Sequence, residues 1–170
     1  QINLLRFISG EDKRLVIPVF QRNYDWKKEN CKKLYEDIVA MIDNPNKKSH
    51  FIGSIVYISN SEVDMVDLRE YVIIDGQQRI TTMVLFLKAI CDVIEENDIV
   101  EYDDLKARIY DYYLINKYQK EKDKLRLKPM KDDDAVFRKI MTNNCEQSKM
   151  VSNVALNYYY FKKCIQESPY

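Results

Sequence analysis

Apolar residues recur at helical spacing near the N-terminus, then gather in short extended runs, and return to helical spacing through the second half. Ile2, Leu4, Leu5 and Ile8 predict a short helix that stops near Ser9-Gly10, a helix-ending pair. Leu15-Val16-Ile17 reads as a short buried strand closed by Pro18, which has no N–H to give to a ladder. From Lys27 onward Cys31, Leu34, Ile38, Met41 and Ile42 fall three and four apart, with Lys32, Lys33, Glu36 and Asp37 between them. That pattern predicts an amphipathic helix, with Asp25 close enough to its start to act as a cap or first-turn acid.

Phe51 to Ser59 is a strand candidate rich in β-branched residues, in which Gly53 marks a bulge or a close backbone approach. Residues 60–70 are polar and turn-like, and Tyr71-Val72-Ile73-Ile74 forms a second strand that can run antiparallel to the first. Asp75-Gly76-Gln77-Gln78-Arg79 follows directly, and then a helix whose broad apolar face carries Thr82, Leu85, Phe86, Ala89, Ile90, Val93 and Ile94. Beyond Asn97 the spacing predicts only helices, over 103–117, 132–142 and 148–166, with the charged stretch 120–128 between the first two. The expected fold class is therefore α+β: a small mixed β-sheet with helices over residues 1–98, then an α-helical extension over 99–170.

Composition narrows the picture only at some points. The 170 residues are 46 % hydrophobic and 32 % charged, enough for a packed core in a water-soluble protein. Lys+Arg and Asp+Glu each number 27, so net charge neither supports nor excludes a nucleic-acid partner. The longest apolar run falls well short of the ~18 residues that span a bilayer, and no signal peptide is visible, so the expected location is cytoplasmic, with no membrane partner. Cys31, Cys91, Cys145 and Cys164 form no CxxC pair, and Cys31 and Cys91 fit apolar helix positions as buried thiols. The chain starts at Gln1 and stops just after a helical segment, and so reads as a piece of a longer protein.

The sharpest chemical feature is the strand-to-helix junction at 73–82. A helix start leaves several N–H groups unpaired, and phosphate oxygens are natural occupants of that position. Gly76 permits a tight turn, Arg79 offers a planar fork, and Gln77, Gln78, Thr81 and Thr82 add neutral polar groups. Asp75 can hold a divalent cation, orient Arg79 or position a water. The plainer alternative is a helix capped by Asp75, with Arg79 in a surface ion pair. No Walker A glycine-lysine pattern occurs, which argues against a P-loop NTPase.

A second feature is the segment 17–26, Ile-Pro-Val-Phe-Gln-Arg-Asn-Tyr-Asp-Trp. Arg22 can meet a phosphate and Tyr24 or Trp26 can stack on a base, although a lone Trp is more simply a core anchor. His50 is the single histidine, which excludes a His-based nuclease or metal cluster within these residues. Asp132-Asp133-Asp134 reads as the first turn of the following helix rather than as a metal site.

Taken together, Ile17-Pro18, Phe20-Gln21-Arg22, Tyr24-x-Trp26, Phe51 to Val56, and Asp75 to Arg79 with Thr81-Thr82 resemble the GmrSD restriction endonuclease N-terminal domain family. Leu125-x-Leu127 with the following acidic helix, and Asn157 to Phe161, match more loosely. The resemblance implies a ParB/sulfiredoxin-like fold in which the DGQQR turn binds a nucleoside triphosphate with Mg²⁺. It implies an NTP-binding or NTP-hydrolysing regulatory domain of a modification-dependent DNA restriction protein, with cleavage in a separate C-terminal HNH-type nuclease domain. On that basis Asp75 and Arg79 are the catalytic candidates, with Asp75 also the metal ligand. Gly76, Gln77, Gln78, Arg79, Thr81, Gln21 and Arg22 are the nucleotide- and phosphate-binding candidates. The alternative function is a DNA-binding module without nucleotide turnover, its basic surface drawn from Lys27, Lys28, Lys32, Lys33 and the 120–128 stretch.

Overall fold

The structure, a computed structural model, describes residues 3–10, 13–44, 46, 49–59, 68–144 and 151–169. Helix α1 (Leu4–Ile8) is capped by Asn3, whose side chain accepts from the Leu5 amide at 2.9 Å. Strand β1 (Lys13–Val16) follows, and then the irregular 17–27 segment leads into α2 (Lys28–Ile42). Strands β2 (Val56–Ser59) and β3 (Arg69–Asp75) pair antiparallel, and α3 (Gln77–Glu96) leaves directly from β3. The remainder is α4 (Asp103–Ile109), the two-residue strand β4 (Leu127–Lys128), α5 (Lys131–Met141) and α6 (Asn153–Gln166).

The four strands form one mixed sheet in the order β2-β3-β1-β4, with β1 parallel to both of its neighbours. The α+β class expected from the sequence is the class observed. Leu15 pairs with Tyr71 on one side and Leu127 on the other, and it is fully buried. Strand β4 lies inside the charged stretch that sequence patterning left as a separator, because two residues flanked by Arg126 and Lys128 carry no readable period. Buried Leu125 and Leu127 provide its apolar content. The sheet thus takes its fourth strand from beyond residue 98, and the hydrophobic cluster runs through both parts of the chain.

Three other expectations change in detail. The 51–59 strand is shorter, because residues 51–55 take an irregular course and only 56–59 pair. The 103–117 helix ends early: after Ile109 the turns widen into a π-helical stretch, Tyr110–Leu114, and Ile115 is extended. Asp25 does not cap α2. The Lys27 amide donates instead to the Asn30 side chain at 3.0 Å, Glu29 is the first-turn acid, and Asp25 forms ion pairs with Arg22 and Lys27.

Helix α3 is the axis of the molecule, about 30 Å long and buried on nearly every side. It packs on α6 and α4, and residues 84–94 are buried except Ile90, which is half-buried. Cys31 and Cys91 are buried thiols, pushed up by burial to about 11 and about 12 respectively, in line with a packing role. Cys145 and the 148–150 start expected for the last helix lie outside the described residues. Helix α6 begins at Asn153, with the Ser152 hydroxyl accepting from the Ala155 amide.

Candidate functional site

Strand β3 delivers the chain into α3 through a single glycine. Gly76 is left-handed (φ 95°), and a Cβ there would sit 2.9 Å from the Ile55 side chain and 3.3 Å from the Ser54 carbonyl. The turn therefore needs glycine for its torsion and for its space. No side chain caps the helix start, so Asp75 is not the cap that the plainer reading required. Asp75 is exposed and pairs with Arg79 at 3.1 Å.

Arg79 turns away from the helix axis toward the segment before β2. Its Nη2 donates to the Ser54 carbonyl at 2.6 Å and to Asp75, while its Nε is buried with no partner among the described residues. Gly53, also left-handed (φ 100°), makes this possible: a Cβ there would fall 2.1 Å from the Arg79 Nη1. The close approach anticipated at Gly53 is that of a guanidinium.

Gln78 faces inward. Its Oε1 accepts from the amides of Asp25 (2.8 Å) and Trp26 (3.2 Å), and its Nε2 donates to the Asn23 carbonyl at 3.1 Å. The carboxamide is thus occupied in fastening the 23–26 segment to the helix start. Other bonds hold the same segment from the C-terminal side. Asp133 accepts from the Tyr24 amide at 2.6 Å, and Asn157 donates to the Trp26 carbonyl at 2.7 Å and to the Tyr24 hydroxyl at 3.1 Å. The Tyr24 hydroxyl also bonds Thr82, which donates to the Gln78 carbonyl. Burial raises the Tyr24 phenol well above its ordinary range, so it stays neutral. Burial likewise raises the Asp133 carboxyl, against a lowering by the Tyr24 amide.

Gln77, Gln78, Thr81 and Arg22 line one narrow cleft, closed on its far side by Met130 and Asp133. Gln21 stays beside it, its Nε2 donating to the Ile74 carbonyl at 2.9 Å. Asp75 and Arg79 do not line this cleft. The residues expected from the sequence therefore fall into two groups around one turn, the Asp75–Arg79 pair toward Ser54 and Gln77, Gln78, Thr81 and Arg22 toward Asp133. Trp26 is half-buried against the core, as an anchor would be, and His50 pairs with Asp37 rather than with any part of this site. Sequence reasoning missed Ser54, Asp133 and Asn157 as contributors. The last two sit within the loosely matching helical stretches, which was the available signal.

A larger cavity, about 340 Å³, lies at the other end of α3, lined by Asp92, Glu96, Asn143, Tyr158 and Lys162 among others. Behind it, fully buried Lys88 donates to Asp92 and Asn143, each at 2.5 Å, and the Tyr158 hydroxyl donates to Asp92. Among the described residues no group of three His, Cys, Asp or Glu is placed to hold a metal ion. No helix among them is long and apolar enough to cross a membrane.

The family of GmrSD restriction endonuclease N-terminal domains matches residues 4–168. The chain belongs to this family. It is accordingly a domain of DNA-restriction proteins, a form of phage defence, and the GmrSD match runs through the helices beyond residue 98 as well as the sheet. Among curated proteins, none matches the sequence significantly.

Proposed function

We propose that the Asp75–Arg79 turn binds the phosphates of a nucleoside triphosphate, and that this GmrSD domain is an NTP-binding and NTP-hydrolysing regulatory domain. The observation that carries the reading is the bare N-terminus of α3. Twenty residues of aligned peptide dipoles begin behind Gly76 with no side-chain cap among the described residues. Such an end attracts anions through both its N–H groups and its dipole. Gly76, Gln77, Gln78 and Arg79 contribute main-chain N–H groups, and Arg79 adds a fixed cation oriented by Ser54. Gln78's side chain acts as a positioning group, while exposed Arg22 reaches the mouth of the cleft.

Asp75 suits Mg²⁺ that arrives with the triphosphate, since this ion is commonly held by one or two carboxylates together with substrate phosphates. When bound, the ion would offset charge developing on the phosphoryl oxygens, a role that Arg79 shares. On this reading DNA contact and cleavage belong to the nuclease part of the parent protein. A DNA-phosphate module is the weaker reading, because Lys27, Lys32 and Lys124 are each paired with an acid.

Calorimetric titration with ATP, GTP, CTP and UTP in Mg²⁺ tests the proposal, comparing the chain with Arg79→Ala and Arg79→Lys. Binding by the parent and a loss of roughly tenfold or more in both variants is expected, since Lys keeps the charge but not the fork. Unchanged affinity in a folded Arg79→Ala would sink the assignment.

A further inference from the structure

The cleft beside the turn has a chemical demand that the chain does not meet. Gln77 is only 7 % exposed, yet its Oε1 is buried with no hydrogen-bond partner among the described residues. Buried carboxamide oxygens are nearly always bonded, so an orphaned one that lines a cleft calls for a donor from outside. Asp133, across the cleft, has one oxygen bonded to the Tyr24 amide. Gln77 thus borders a space whose walls are apolar at Ile17, Pro129 and Met130 and polar at Arg22, Thr81 and Asp133.

The size of that space restricts the donor. Its volume is about 10 Å³, room for about one water-sized group and too little for a purine or pyrimidine ring. Gln77 is the first residue of α3, immediately after Gly76, so a group that enters lies beside the phosphate turn. Resting on the nucleotide reading above, we propose that the Gln77 Oε1 accepts the proton of a ribose hydroxyl that enters beside Asp133, so that the site selects ribonucleotides over deoxyribonucleotides. A hydroxyl is of the right size, donates a proton and lies between the phosphates and the base. The base itself stays outside the cleft, so preference among bases is expected to be weak.

The test titrates the whole chain, in Mg²⁺, with GTP, 2′-deoxyGTP, 3′-deoxyGTP and inorganic tripolyphosphate. The same set is run on Gln77→Leu and Gln77→Glu, with thermal melting as the check on folding. At least one deoxy analogue is expected to bind about tenfold more weakly than GTP, and which one identifies the hydroxyl. Gln77→Leu should erase that difference, whereas Gln77→Glu keeps an acceptor and should preserve it. Equal binding of all three nucleotides overturns the ribose assignment while leaving the phosphate site intact. Failure of tripolyphosphate and every nucleotide to bind overturns the phosphate site itself, and the ribose assignment with it. Should Gln77→Leu fail to fold, the GTP-to-deoxyGTP ratio of the parent chain decides alone.

Discussion

Arg79 illustrates how much one residue depends on an absence elsewhere. Its guanidinium lies where the side chain of any residue but glycine at 53 would begin, and its hold on Ser54 follows from that space. Gly53→Ala is therefore expected to push Arg79 off Ser54 and to strain a left-handed backbone position, at a cost of about 1–3 kcal/mol. Urea unfolding measures the stability loss, and nucleotide titration should show weaker binding in a protein whose circular dichroism keeps the helical signal. Retained affinity would mean that Arg79 reaches the phosphates from a different rotamer. Gln77 and Gln78 make the companion point. They are adjacent and chemically identical, yet one is bonded to main-chain partners of the 23–26 segment and the other has an oxygen with no partner among the described residues. The sequence identified both as polar groups at a helix start, but it could not tell which one the 23–26 segment holds. That division depends on which way successive side chains point around the first turn of α3, and on what the chain places there.

At the scale of elements, α3 departs from the amphipathic pattern by burying charge. Lys88 and Asp92 sit one turn apart with both partners almost wholly shielded, and Tyr158 of α6 completes the cluster. Burial, followed by the Asp92 hydrogen bond, raises the Tyr158 phenol far above its ordinary value, so it stays a donor to that carboxylate. Removing one member of such a pair leaves the other charge buried and uncompensated. Lys88→Ala is expected to cost about 3–5 kcal/mol by chemical denaturation, and Lys88→Met with Asp92→Leu should recover most of it. A Lys88→Ala loss below about 1 kcal/mol would show that water reaches Asp92 through the neighbouring cavity. Periodicity identified the apolar positions of α3 correctly, because helical spacing is local. It could not identify Lys88 and Asp92 as interior, since an i,i+4 Lys–Asp pair reads equally well as a solvated face.

For the whole molecule, the question is how the helices beyond residue 98 bear on the site. Strand β4 completes the sheet beside β1, α6 covers α3, and Asp133 and Asn157 hold the 23–26 segment from that side. A fragment ending at residue 98 would leave buried faces of α3 and β1 open to water, so it is expected to lack cooperative unfolding and dispersed amide resonances. A fragment that melts cooperatively and binds nucleotide as tightly as the full chain would establish that the N-terminal part stands alone. The sequence by itself determined the α+β class, the β3–turn–α3 junction, the antiparallel β2–β3 pair and most helix positions. Those follow from local periods, from glycine at a turn and from the adjacency of strand and helix along the chain. Tertiary structure alone decided that two residues in a charged stretch become a strand, that α3 buries a lysine, and that Asp133 and Asn157 reach the turn. Each of those contacts joins residues far apart in sequence, where no local period records which surfaces will meet.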